Sequence, residues 1–388
     1  MIIQRAAWRN AAWVFVLSRV IIIFMTFVGA SRLPVVGQTR IHLCTTDLHS
    51  CLLAWRWWDA IVYLGIAKHG YTLIYQTVFF PLWPLLIRCV GTLFGGSNDA
   101  FYLASLLLTN IFFYLALVFF YALLERDFDA SVAKNAMIYL SFNPYALFFF
   151  AGYTEALFLM LCLATFFFLQ HGKWWLAGLT GFFAALTRSP GILLTIPFLV
   201  LFTQHFWQQR TELTTWRQKL GVVSRFMPIV LIPCGVVVFM SYLWYTKGNP
   251  LLFATQEADY WHRYLSFPWH GFIRTFHYLF VEPSHIDLNV LDLIFTALPL
   301  IILILGWRHL PLHYRLFAAM MALFPLLHPA ASVEPLVSMP RYMMVNFSVF
   351  VICALWGKNT RFDKAYLAFC LPILAINTAL FVNHNWVA

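Results

Sequence analysis

Residues 11–31 read AAWVFVLSRVIIIFMTFVGAS. A helix needs roughly 20 apolar residues to cross the hydrocarbon core of a bilayer, so this run is a membrane span. Stretches of the same kind recur at 100–122, 226–246 and 365–383. The whole chain agrees with them: 62% of its residues are hydrophobic and only 10% charged, and its mean hydropathy is +0.76. These values lie far outside the soluble range. The expected fold is therefore an all-α polytopic membrane bundle.

Further apolar stretches at 133–150, 153–170, 174–187, 190–204, 290–306, 316–328 and 341–357 bring the expected number of spans to 11. Arg5 and Arg9 precede the first span and no small-residue cleavage site follows it, which predicts a retained signal anchor and a cytoplasmic amino terminus. Residues 81–95 contain Pro81, Pro84 and Arg88 and read as interfacial or re-entrant. With that piece outside the bilayer core, the cytoplasmic segments hold 14 Lys and Arg against 5 acids, and the opposite side 10 against 10. This satisfies the positive-inside rule; a full crossing at 81–95 would turn the basic loop 205–225 outward. The basic excess is then topogenic, and nucleic acid is not an expected partner.

Ten of the fifteen acids fall on the extracytoplasmic side, which also owns the two long non-spanning segments, 32–99 and 247–289. Both are rich in Trp, Tyr, Phe, His and Pro, as suits amphipathic helices at headgroup level. No repeat or low-complexity linker divides the chain, so residues 1–388 are expected to form one membrane-embedded domain. Cys89, Cys162, Cys234, Cys353 and Cys370 lie in apolar stretches and read as packing residues, whereas Cys44 and Cys51 share the first outer loop and could form a disulfide in an oxidising compartment, which spacing alone does not decide. No Walker phosphate loop, HExxH, GxSxG or paired CxxC occurs. The Asn346-Phe347-Ser348 match lies inside an expected span and is no glycosylation acceptor.

Chemistry is expected after the first span, where Trp55-Arg56-Trp57-Trp58-Asp59 places a carboxylate among aromatic residues. Trp57-Trp58-Asp59-Ala60 with Tyr63, Ile66-Ala67 and Gly70-Tyr71, then Phe79-Phe80-Pro81-Leu82-Trp83-Pro84, resembles the amino-terminal signature of the PIG-V mannosyltransferases. The resemblance continues in order through Asn143-Pro144, Phe148-Phe149, Tyr153-Thr154-Glu155, Thr187-Arg188-Ser189-Pro190-Gly191 and Pro340-Arg341-Tyr342. It implies a GT-C glycosyltransferase that takes a sugar, mannose in this family, from a polyprenyl- or dolichyl-phosphate donor on the extracytoplasmic face. Named eukaryotic members add the second mannose of the GPI anchor. The segment Phe253-Ala254-Thr255-Gln256-Glu257 through Trp261 instead resembles bacterial members, which points to the bacterial cytoplasmic membrane rather than the endoplasmic reticulum.

The residues themselves fit such a reaction. A glycosyl phosphate carries its own leaving group, so an inverting transfer needs chiefly a base for the acceptor hydroxyl, and Asp59 is the candidate. If residues 55–69 are helical, Arg56 and Tyr63 share a face with Asp59, and Arg56 can pair with it in a purely structural bridge. Trp55, Trp57 and Trp58 read as interface anchors, with sugar stacking as the alternative. Glu155 either stabilises the start of its own helix or contacts substrate hydroxyls, with Tyr63 and Glu257 as further substrate contacts. Arg188, Arg341 and Arg263, with His262, are the candidate ligands of the donor phosphate; each equally suits an interface anchor or a bridge. No divalent metal or other cofactor is expected, because a lipid monophosphate can be held by arginines. The acceptor is a hydroxyl of a lipid-, glycan- or protein-linked molecule, and the sequence is silent on a partner subunit. Two rival classes are a secondary transporter or lipid flippase, whose charges belong at the bilayer midplane in repeated halves, and an acyltransferase using His328.

Overall fold

The computed structural model describes residues 3–33, 48–209 and 215–388, with the side chains of 48–50, 209 and 217–220 left aside. Among the described residues eighteen α-helices follow one another, and there is no strand beyond an isolated bridge between Arg263 and Ala330. The first half comprises α1 (Arg5–Arg32), α2 (Leu48–Leu53), α3 (Asp59–His69), α4 (Leu82–Leu93), α5 (Asn98–Asp127), α6 (Ala130–Ser141), α7 (Glu155–Gln170), α8 (Trp174–Thr187) and α9 (Thr195–Gln209). The second comprises α10 (Trp216–Phe226), α11 (Leu231–Lys247), α12 (Leu252–Asp259), α13 (His270–Val281), α14 (Ile286–Gly306), α15 (Leu312–Leu326), α16 (Met339–Met344), α17 (Phe347–Trp356) and α18 (Thr360–Val382).

Among the described residues six helical segments are long and apolar enough to cross a membrane: 5–32, 98–127, 189–208, 221–247, 283–309 and 360–382. The chain is thus an integral multi-pass membrane protein. The other five expected spans are shorter. Helices α7, α8 and α15 have 16, 14 and 15 residues. The stretch 133–150 is not one helix but α6 of 12 residues followed by a 3-10 turn, Ala146–Phe149. Pro144 has no N–H to continue the ladder, and the Asn143 side chain accepts the Tyr145 N–H at 2.9 Å instead. Residues 341–357 likewise divide into α16 and α17 at Val345-Asn346. Helix α4, at 12 residues or about 18 Å, is too short to cross.

Helix α7 sits at the centre, packed between α5 and α8 and buried along nearly its whole length. Helix α8 meets α11 backbone to backbone: a Cβ on Gly235 would stand 2.3 Å from the Phe182 carbonyl oxygen. Helix α1 lies on α5 and α18. Cys162, Cys353 and Cys370 are buried, as packing residues should be, but Cys89 is exposed. Cys51 is disulfide-bonded, while Cys44 lies outside the described residues.

Candidate active site

Membrane helices break where backbone lines a cavity rather than lipid, and this site is built from such breaks. Thr154 caps α7, so Glu155 opens that helix in the first turn. Arg188 ends α8 in extended conformation, and Pro190 stands in the first turn of the 3-10 segment Ser189–Leu194 behind it. Gly191 donates its N–H to the Arg188 carbonyl at 2.9 Å. Any larger residue there would strike the preceding helix, since a Cβ would lie 2.3 Å from the Ala185 nitrogen. Ser338, at φ +66°, leads into α16 and so into Arg341.

Asp59 begins α3 one residue after Trp58, whose φ is +54°. The helix expected from residue 55 therefore starts four residues later, because the left-handed Trp58 breaks it. Arg56 is exposed and outside the helix, so it shares no helical face with Asp59. The bridge to Asp59 comes from Arg341 instead, with Nη2 2.9 Å from Oδ2. The same Nη2 lies 2.8 Å from Glu155 Oε1, and Arg341 Nε donates to that oxygen at 3.2 Å. Arg188 Nη1 reaches it as well, at 2.8 Å. Glu155 is fully buried, and its Oε2 has no partner among the described residues. Two carboxylates and two guanidinium groups thus form one charge-balanced chain, which is what permits ionised groups at such depth. Aromatic faces complete it: the Arg341 guanidinium lies 4.8 Å from both the Phe148 and Tyr153 rings, and that of Arg188 lies 4.9 Å from Tyr342.

Asp59, Tyr63, Arg188, Glu257, Arg263 and Arg341 all line one polar cavity of about 120 Å³. Tyr63 donates to Thr154 Oγ1 at 3.5 Å, and burial together with the Asp59 and Glu155 carboxylates pushes its phenol above the ordinary range. Arg263 Nε stands 3.9 Å from Glu257 Oε2 while its two Nη groups donate to the Val337 and His328 carbonyls at 2.8 and 3.2 Å. Desolvation in the cleft holds the Glu257 carboxyl above the usual carboxylate range, with Arg263 offsetting part of the rise. His262 is exposed and does not line the cavity. Its φ is +52° and its carbonyl accepts the Ala331 N–H at 2.7 Å, so it serves a turn.

Trp55 is neither an interface anchor nor a sugar platform. It is 1% exposed, wedged between Phe150 at 4.7 Å and Phe381 at 5.5 Å. The cavity also contains a residue that sequence reasoning missed, Trp386. No local pattern signals it, because it follows the last helix and arrives only through the tertiary path of the chain.

A second cavity of about 280 Å³ shares Val78, Phe80, Ser189, Glu257, Arg263 and Tyr342 with the first. Its remaining wall is largely apolar, formed by Ile192, Val236, Phe253, Ala254, Phe324 and Pro325 together with His328. The polar chamber therefore continues into a greasy annex.

A family model described as Mannosyltransferase (PIG-V) matches residues 14–283. The human GPI alpha-1,6-mannosyltransferase 2 is 30% identical over 199 residues, covering 48% of this chain and 39% of the human protein. The GPI mannosyltransferase 2 of Drosophila pseudoobscura pseudoobscura is 28% identical over 269 residues, covering 61% of this chain and 57% of the fly protein. The chain thus spans less than two thirds of either relative. Among solved structures it is similar to ArnT from Cupriavidus metallidurans bound to undecaprenyl phosphate, with 13% identity, a TM-score of 0.49 and coverage of 96% of this chain and 76% of that one. The Archaeoglobus fulgidus oligosaccharyltransferase gives 12% identity, a TM-score of 0.47 and coverage of 96% and 55%.

Proposed function

This chain belongs to the PIG-V mannosyltransferase family, and we propose that it transfers mannose, with inversion, from a polyprenyl-phosphate donor to a hydroxyl of a lipid-, glycan- or protein-linked acceptor. The observation that carries this reading is the Asp59–Arg341–Glu155–Arg188 chain beside a polar chamber that opens into an apolar annex. A lipid-linked sugar phosphate has the same division of character. Its isoprenoid tail suits the annex, its phosphate Arg263 at the junction and Arg188 on the chamber side of it, and its sugar the chamber.

In the proposed step Asp59 removes the acceptor hydroxyl proton while that oxygen attacks the anomeric carbon. The bond from the anomeric carbon to the phosphate oxygen breaks, and polyprenyl phosphate departs with the electron pair. Arg341 orients Asp59, and fixed guanidinium groups at the chamber meet the charge that develops on the phosphate. Glu155, out of reach of solvent, is read as the anchor of both arginines rather than as a second base. No divalent metal has an assigned step in this scheme. The chamber is read as extracytoplasmic, facing outward in a bacterial cytoplasmic membrane or into the lumen of the endoplasmic reticulum.

The test is transfer of radiolabelled mannose from polyprenyl-phosphate mannose in membranes carrying wild type or D59N at matched expression. Transfer by wild type and its loss in D59N are expected. Equal transfer by both proteins would remove Asp59 as the base, and no transfer by wild type to any acceptor would overturn the reaction.

A further inference from the structure

After α18 the chain turns back over the start of α3. Asn383 Nδ2 donates to the Gly29 and Ala379 carbonyls at 3.0 and 2.8 Å, and the Asn385 N–H donates to the Leu380 carbonyl at 3.0 Å. Val387 and Ala388 are 7% and 3% exposed. The segment is tied down, and it is used to carry rings. His384, at φ +67°, stacks on Trp57 with centroids 4.2 Å apart and an interplanar angle of 28°, and lies 4.9 Å from Trp58. Trp386 meets Trp58 edge to face at 5.0 Å.

Positive φ at Trp58 and His384 is uncommon for bulky residues and strained, so it persists only where surrounding contacts fix it. Both strained residues stand in the same stack, directly before Asp59. Trp57 is held from two further sides, by Tyr153 Oη donating to its carbonyl at 3.1 Å and by its own Nε1 donating to the Val382 carbonyl at 3.3 Å.

The chamber wall now decides what this stack presents. Tyr63, Phe79 and Phe80 are buried, and the Tyr342 ring is covered by Arg188. Trp261 packs on Tyr260 at 5.3 Å and on Phe79 at 6.2 Å. Trp386 is half-buried, and its recorded ring contact is the edge-to-face one with Trp58. It lines the chamber together with Asp59, and among the described residues no ring stacks face to face on its indole. A hexose has one face of C–H bonds flanked by hydroxyls, which suits an aromatic plane in an otherwise charged and hydrogen-bonding chamber.

Resting on the donor reading above, we propose that Trp386 is the platform for the donor's sugar ring, set beside Asp59 by the His384–Trp57–Trp58 stack. The test is direct binding to the purified full chain of two lipids, radiolabelled polyprenyl-phosphate mannose and unglycosylated polyprenyl phosphate. W386A should weaken the mannosyl lipid about tenfold and leave the bare lipid phosphate unchanged, with W386F recovering most of the loss. Unchanged binding of the bare lipid also shows that the variant is folded. Equal loss for both lipids, no loss for either, or wild type binding both equally well would overturn the platform. Wild type binding neither lipid would overturn the donor reading from which it starts.

Discussion

Arg341 Nη2 lies 2.9 Å from Asp59 Oδ2, joining the start of α3 to a six-residue helix near the other end of the sequence. Because the same nitrogen also binds Glu155 Oε1 at 2.8 Å, one guanidinium holds both carboxylates of the site.

The two carboxylates should therefore respond differently to neutralisation. D59N removes the base at a side chain that is 17% exposed, against 0% for Glu155, and its amide oxygen still accepts from Arg341, so transfer should fall by about 10²–10⁴-fold with a smaller loss of stability than in E155Q. Radiolabelled transfer and the melting temperature in detergent, taken together, check this.

Glu155 has the opposite profile. E155Q leaves Arg188 and Arg341 facing each other with one anionic partner fewer, and breaking a buried pair in this way costs about 3–5 kcal/mol. Removing Arg188 at the same time should restore part of that loss. A double-mutant cycle with E155Q and R188Q, read as melting temperature, should show a coupling of about 0.5–3 kcal/mol.

Glu257 gives a pH dependence. Its pKa in the folded chain is raised above the unfolded value, first by desolvation and in spite of Arg263. Folding therefore binds the proton more tightly, and this stabilising contribution, complete below the ordinary carboxylate pKa, is lost as pH rises through the raised one. E257Q cannot lose it. The melting temperature of E257Q relative to wild type should rise between acid and neutral pH, and a flat difference would count against the assigned desolvation.

Two glycines separate packing from propensity. G191A forces a Cβ to within 2.3 Å of the Ala185 nitrogen, so it should cost at least the about 1–3 kcal/mol typical of overpacking, and transfer should fall as Arg188 shifts. G221A on α10 meets open space and should be neutral or gain up to about 1 kcal/mol. Melting temperatures of the two variants decide between these outcomes.

His384 is a positioning residue. H384A removes the ring stacked on Trp57 and should both lower kcat for mannosyl transfer and raise KM for the donor, because Asp59 and the Trp386 platform lose the same brace. H384F retains a ring and should recover most of the rate. Equal losses in both variants would reduce His384 to a plain structural contact.

Much of this was legible in the sequence, and for identifiable reasons. Apolar runs report membrane helices directly, because the bilayer demands a length and a composition. The residues at Asp59, Glu155, Arg188 and Arg341 stand out because charge beside apolar stretches is expensive. What failed to show was where helices stop. Asn143-Pro144 and Val345-Asn346 lie inside apolar stretches and read as continuous spans, although the chain breaks at both, near the ends of the segments that carry Glu155 and Arg341 into one ion pair. Arg56 looked like the partner of Asp59 because helical spacing was extended back through Trp58. Trp58, with its positive φ, packs against His384 and Trp386 from a distant segment, a contact that no local propensity encodes.

By itself, then, the sequence determined an all-α membrane chain, the family, and the set of charged residues among which chemistry is to be sought, since each is written in composition or short-range spacing. The tertiary structure alone decided the partners: Arg341 rather than Arg56 on Asp59, Arg188 and Arg341 together on Glu155, His262 left outside the cavity and Trp386 brought into it. Ion pairing and ring stacking act over a few ångströms in space. Only the folded path of the chain brings residues so far apart in sequence within that range.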